Sequence, residues 1–389
     1  MVSTHISILL ALALAVLPAI SMINGVWPPF QQGLGNSTLP RPQEPKKPYP
    51  YLEREVSFEN KRAGVRLVGT LTVPACGGPF PAVILIPGSG AQDRDGSTVG
   101  ALPVIGHKRL LVMADYLTRH GLAVLRMDKR GVGQSTGDLL STTSADSADD
   151  VLAGVKFLKS RGEIDAKRIG LIGLSEGGTI ASIAATKSND VVFVVLMATP
   201  GLIGEQALHL QHAALLRAYG ATDSAIAGNR AVYEKIYTVV KTEQENSIAL
   251  EKLSEYVNQQ VIEVSDDLKR LEAVNLDSHF WLPLITPWYR FLLTYDPNPT
   301  LKRMKRPVLV MNGERDLQVP YKENLSAIEA ALEAGGNKDY MIVHLPNLNH
   351  LFQTSRSGRP SEYSELDETI SPSALKQIFD WIHTHTSRH

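Results

Sequence analysis

Ile169-Gly-Leu-Ile-Gly173-Leu174-Ser175-Glu176-Gly177-Gly178 decides the fold: an aliphatic run patterned as a buried strand passes straight into G-x-S-x-G and then into a helical pattern. Glycines two before and two after Ser175 let the chain turn sharply from strand to helix, so the hydroxyl stands clear at the edge of a sheet. The same turn aims the N-terminus of the next helix, expected from Gly177 to Thr186, at the reacting centre and sets the Glu176 amide to meet a developing oxyanion. Alone the pattern is weak. The strand from Arg168 to Ile172 and the helix after it supply the context it requires.

A serine nucleophile on such a turn needs an acid and then a histidine further along the chain. Pro307-Val-Leu-Val-Met-Asn-Gly313-Glu-Arg-Asp316 reads as a strand closed by a turn, with Asp316 just beyond its C-terminal end. Tyr340-Met-Ile-Val-His-Leu345 reads as another strand, and Pro346-Asn-Leu-Asn-His350 puts His350 on the loop after it. The chemistry asks for these residue types because a neutral serine is a poor nucleophile. An imidazole must accept its proton, and a carboxylate must hold that imidazole in the right tautomer.

Two further segments complete a recognisable set: Ala82-Val-Ile-Leu-Ile-Pro87-Gly88-Ser89-Gly90-Ala91-Gln92-Asp93-Arg94-Asp95-Gly96 and Leu125-Arg-Met-Asp128-Lys129-Arg130-Gly131-Val-Gly133-Gln-Ser135. Together they resemble the α/β-hydrolase superfamily, and within it the bacterial serine esterases whose oxyanion strand ends in H-G-S-G-x-Q-D-R-D. The likeness runs from about Glu55 to the C-terminal helix, with Pro87 standing where that family usually has histidine. The resemblance implies a mostly parallel sheet flanked by helices and hydrolysis of a small to medium acyl ester through an acyl-enzyme. Ser175 would be the nucleophile, His350 the general base and Asp316 its orienting partner, with the amides of Glu176 and Ser89 as oxyanion donors. It implies neither cofactor nor metal. Asp93, Arg94 and Asp95 are expected to brace the oxyanion loop through ion pairs. A serine peptidase or a thioesterase would use the same groups, and a non-catalytic binding protein on this fold is the reading from another class.

The rest of the chain agrees with a doubly covered parallel sheet. Strands are expected at Arg54 to Phe58, Val65 to Val73, Ala82 to Ile86, Ala123 to Met127, Val191 to Met197 and at the segments above. Between them run helical patterns at Lys108 to His120, Ala148 to Ser160, Glu323 to Ala334 and Ser373 to His383. From 201 to 299 the alternation stops. Leu250, Leu253, Val257, Val261, Val264, Leu268 and Leu271 recur at helical spacing, which predicts a helical cap inserted into a core of 53–200 and 300–389. Phe280, Trp281, Trp288, Tyr289 and Phe291 are candidates for a substrate wall or for anchors of that cap.

Composition bounds the partners. Of 389 residues, 39 are Lys or Arg and 40 Asp or Glu, so no strong field favours nucleic acid or an anionic membrane. The partner expected is a small-molecule ester. Cys76 is the single cysteine, which excludes an intramolecular disulfide and a thiolate metal site together. His209 and His212 lie three apart on an expected helix without a third ligand at metal spacing, and His383, His385 and His389 crowd what reads as a mobile tail. Ile6 to Ile20 is almost wholly aliphatic and Ala19-Ile20-Ser21 offers small residues, so 1–21 reads as an export signal, with an uncleaved anchor as the alternative. Seven prolines between Pro28 and Pro50 make 22–52 read as an extended linker. Oligomeric state is not written in the sequence.

Overall fold

The computed structural model describes residues 41–98, 107–262 and 281–387. Eight strands, β1 (Tyr51–Asn60), β2 (Val65–Pro74), β3 (Phe80–Ile86), β4 (Ala123–Met127), β5 (Ile164–Leu174), β6 (Phe193–Met197), β7 (Val308–Gly313) and β8 (Tyr340–Leu345), form one sheet in the order β1-β2-β4-β3-β5-β6-β7-β8. β1 and β2 pair antiparallel, as do β2 and β4, and every later pairing is parallel. Helices α1 (Arg109–Arg119), α2 (Ser144–Lys159), α3 (Glu176–Lys187), α9 (Tyr321–Ala334) and α10 (Pro372–Thr386) link or follow the strands. This is the α/β-hydrolase arrangement expected above.

Burial explains why the central strands read as continuous apolar runs. β4, β6 and β7 are buried along their whole length, because helices cover both faces of a parallel sheet. Alternate residues then feed two separate cores. Ala82, Ile84, Leu171, Val194 and Val310 join the face packed by α2, α3 and α9. Val83, Leu85, Ile172, Val195 and Met311 join the face packed by α1 and α10.

Between β6 and β7 the described residues form five α-helices, α4 (Gly204–Ala218), α5 (Asp223–Thr242), α6 (Asn246–Ile262), α7 (Pro287–Thr294) and α8 (Asn298–Arg303), with a 3-10 turn at Leu282–Ile285. Four of them contribute to a third core, with Leu216, Tyr233, Ile236, Tyr237, Leu253 and Tyr289, and Trp281 joins it from just before the 3-10 turn. Leu253 lies in that core and Leu250 packs against it, in line with the stripe expected there. Phe280 and the stripe residues Val264, Leu268 and Leu271 lie outside the described residues.

Several boundaries differ from expectation for identifiable reasons. α2 begins four residues before Ala148 because Thr143 and Asp146 form a reciprocal capping box: the Thr143 hydroxyl accepts from the Asp146 amide and the Asp146 carboxylate from the Thr143 amide. β1 starts at Tyr51, inside the segment read as linker, and residues just before it are tied to the body. Arg41 Nη1 donates to the Leu366 carbonyl at 2.6 Å, while Gln43 donates to the Ile370 carbonyl at 2.7 Å and accepts from the Thr369 amide at 2.6 Å. The aliphatic run read as an export signal, and the rest of the linker up to residue 40, lie outside the described residues. The C-terminal histidines correct another expectation: His383 and His385 belong to α10 rather than to a loose tail, and His385 bonds Asp339 at 3.2 Å. His389 lies outside the described residues.

Candidate active site

Ser175 sits between the last residue of β5 and the first of α3 with φ 57° and ψ −122°. A non-glycine residue in this region of backbone space is strained and persists only where its surroundings hold it. They do. The Ser175 amide donates to the Met197 carbonyl at the end of β6 at 2.7 Å, and the Ser175 carbonyl accepts from Gly178 at 2.9 Å. Gly177 is required here, since a side chain on it would collide with the carbonyls of Ile86 and Pro87 on the neighbouring strand. Glu176 is the first residue of α3, so its amide lies outside the helical hydrogen-bond ladder.

Asp316 and His350 come together as one buried pair. His350 Nδ1 meets Asp316 Oδ2 at 2.8 Å, while Asp316 Oδ1 accepts from the amides of Gln318 and Val319, each at 2.8 Å. Both carboxylate oxygens are thus engaged, and the bond to Oδ2 fixes which imidazole nitrogen faces the acid. The His350 loop crosses directly over the end of β7, where a side chain at Gly313 would collide with the Leu348 carbonyl. Asn349, wholly buried, accepts from the amides of Leu351 and Gln353 at 2.9 and 3.0 Å and so holds the histidine turn in shape.

Ser89 lines the cleft that contains Ser175. Its loop is held from several sides. Arg94 grips Asp128 with Nη2 at 2.7 Å and Nε at 3.1 Å, and its own amide donates to the same carboxylate at 2.9 Å. Burial works to raise the Asp128 pKa, but Arg94 and the amides of Gln134 and Arg94 outweigh it and hold the carboxyl below its usual range. Asp95 pairs with Arg126, and Asp93 caps the amides of Asp95 and Ser97 at 2.9 Å each. All three residues of the D-R-D segment thus brace the loop, Arg94 and Asp95 through the ion pairs expected of them and Asp93 through backbone amides instead. Pro87 offers no side-chain donor; Lys129 reaches the loop instead, donating to the carbonyls of Gly88 and Gly90.

The inserted helices form the opposite wall of the cleft. Leu202, Leu208, Phe291, Leu292 and Val319 give it an apolar lining, and it leaves room for solvent over about 70 Å³. Of the aromatic residues singled out in the sequence, Phe291 lines the cleft. Trp281 and Tyr289 pack inside the helical core. Trp288 does something the sequence did not announce: its indole N–H donates to Glu176 Oε1 at 2.7 Å, beside the Ser144 hydroxyl at 2.6 Å.

His209 and His212 sit on α4, where burial depresses both and pushes His212 down to about 3. Among the described residues, no group of three or more His, Cys, Asp or Glu is placed to hold a metal ion. Cys76 is exposed just after β2. No described helix is long and apolar enough to cross a membrane.

A family model described as "Serine aminopeptidase, S33" matches residues 107–354. The chain is 26% identical to Esterase EstD of Thermotoga maritima over 334 residues, which cover 85% of this chain and 69% of that protein. Among solved structures, the α/β hydrolase GrgF from Penicillium sp. sh18 superposes with a TM-score of 0.51 at 17% identity, covering 87% of this chain and 99% of its own. A hypothetical protein from Pseudomonas aeruginosa gives 0.52 at 16% identity, covering 91% and 98%. These two likenesses concern the fold.

Proposed function

The chain belongs to the hydrolase family described as serine aminopeptidase, S33, and from that premise we propose that it is a serine carboxylic-ester hydrolase acting through an acyl-enzyme on small to medium acyl esters. The observation that carries the reading is the buried 2.8 Å bond between His350 Nδ1 and Asp316 Oδ2, on the two loops that follow the strands beyond Ser175. Ser175 Oγ attacks the ester carbonyl while His350 Nε2 takes its proton; the tetrahedral intermediate collapses as His350 returns that proton to the leaving alcohol. Water then repeats the attack on the acyl-enzyme, again through His350, and releases the acid. Asp316 keeps the ring in the accepting tautomer and stabilises the imidazolium. The amides of Glu176 and Ser89 receive the oxyanion, each worth about 3 kcal/mol by analogy with other hydrolases.

The similarity to Esterase EstD supports an ester over an amide. So does the cleft itself. Its lining is mostly apolar, and Glu176, the one carboxylate among the described residues that line it, already has Lys129 within 3.6 Å. A peptidase that captures a substrate amino terminus wants an unmatched anion in that place. The helices between β6 and β7 act in this reading as a cap that sets acyl size.

Turnover of p-nitrophenyl butyrate and labelling by a fluorophosphonate test the reading together. Ser175→Ala is expected to fold as the wild type, lose labelling completely and lose turnover to background. Retained labelling or turnover in that variant overturns the assignment.

A further inference from the structure

We propose that Lys129 is a positioning residue for the oxyanion hole, its ammonium holding the Gly88–Gly90 loop and Glu176 in one fixed relation. The proposal rests on the reading above, in which the Ser89 and Glu176 amides receive the oxyanion.

Lys129 follows β4 by two residues and reaches across to the loop after β3. Its Nζ donates to the Gly88 carbonyl at 2.6 Å and to the Gly90 carbonyl at 3.2 Å, the residues on either side of Ser89, and lies 3.6 Å from Glu176 Oε2. An ammonium has three donors and no acceptor, and here two go to carbonyls, while the carboxylate at 3.6 Å is within ion-pair range and beyond hydrogen-bond distance. Glu176 is itself held by Ser144 and Trp288 through its other oxygen.

The consequence for Ser89 follows from the peptide bond. The Gly88 carbonyl and the Ser89 N–H belong to one planar trans unit and point in opposite directions. Anchoring the carbonyl on Lys129 therefore sets the direction of the N–H, the group that must meet the developing charge. A second bond, to Gly90, fixes the peptide two units further on, so the loop cannot rotate about Ser89 without breaking one of them. Through Glu176 the same cation is coupled to the residue carrying the other proposed donor.

Stability alone gives a weak reason for this arrangement. Lys129 is only 10% exposed and Glu176 3%, so both charges lose most of their hydration. Buried pairs of this kind contribute little that a packed apolar residue could not. What an apolar residue could not do is orient two carbonyls.

The test compares Lys129→Met and Lys129→Arg with the wild type and with Ser175→Ala, using p-nitrophenyl butyrate turnover and the rate of fluorophosphonate labelling. Lys129→Met is expected to lower kcat by ~10²-fold, the scale of a lost or displaced oxyanion donor, with KM within about threefold of wild type. Labelling should slow in parallel. Lys129→Arg, which keeps charge and donors, should recover at least ~10-fold of that loss. A fall in kcat of less than tenfold in Lys129→Met overturns the proposal, as does an equal loss in the Arg variant. Should the Met variant fail to fold, Lys129→Gln is judged by the same tenfold criterion. Failure of the underlying reading looks different, because Ser175→Ala would then keep its turnover.

Discussion

Trp288 and Glu176 are 112 residues apart in sequence and joined by a 2.7 Å hydrogen bond from the indole N–H to the carboxylate. One partner belongs to α7 in the inserted helices and the other follows the proposed nucleophile directly. The inserted helices and the turn that carries Ser175 are therefore linked by a specific polar contact. Because Glu176 is buried, each of its donors matters more than a surface bond would.

Trp288→Phe removes that donor while keeping an aromatic ring in the space. The expected cost is ~1.5–3 kcal/mol, the range for a hydrogen bond to a buried charged group. Urea unfolding followed by far-ultraviolet circular dichroism reads it as a lower midpoint with an unchanged slope. A midpoint equal to wild type would mean that the bond contributes nothing in solution.

Stability should also fall on the acid side of neutrality for a reason that lies away from the cleft. His107 is buried, with Nε2 2.7 Å from the Tyr363 carbonyl, and burial, aided by Arg41 and Arg109, pushes its pKa down to about 4. His212 is pushed down to about 3 by burial and by His209. The unfolded chain takes up a proton at each near pH ~6.5, before the folded chain does. Between that pH and the folded value the unfolded state binds more protons, so stability is full above ~6.5 and declines as pH falls toward 4, by at most ~1.4 kcal/mol per pH unit for each histidine. His107→Gln, whose amide can still donate to Tyr363, is expected to have a shallower decline in this window. Chemical denaturation of both proteins at pH 7, 5.5 and 4.5 measures the difference, and parallel profiles would remove His107 from the account.

What could be read in the sequence was local. Ser175, Asp316 and His350 each follow a strand within a few residues, so a β-branched run, a turn and one chemically apt side chain announce them without knowledge of the rest of the fold. Strand alternation likewise gave the sheet. The contacts that escaped join distant segments: Trp288 with Glu176, Gln43 with Thr369, Lys129 with Gly88. Hydrophobic periodicity reports which face of an element is buried and is silent on which remote polar group it meets there. Lys129 stood inside a quoted motif, D-K-R-G, yet nothing in that spacing says that its ammonium turns toward the loop after β3. The early start of α2 is a different kind of omission, since Thr143 and Asp146 are a readable capping box that the apolar pattern alone does not count.

The sharpest test of the proposed relay falls on Asp316. Other carboxylates in this half of the chain have other occupations: Asp296 accepts from the Asn298 amide at 2.9 Å and Asp339 bonds His385 at 3.2 Å. Asp316 alone among these three touches His350. In Asp316→Asn the side-chain oxygen can keep accepting from Gln318 and Val319, which turns the new NH₂ toward His350 Nδ1. That contact favours the tautomer carrying its proton on Nε2, where it cannot accept one from Ser175, and it leaves an imidazolium without a counter-charge. The comparable change in a serine protease lowers turnover by ~10⁴-fold; for ester hydrolysis, with its better leaving group, kcat is expected to fall by at least ~10²-fold, with KM little changed where chemistry limits the rate. Measured beside Asp296→Asn and Asp339→Asn, near-normal turnover in the Asp316 variant with collapse in either control would move the acid to another residue.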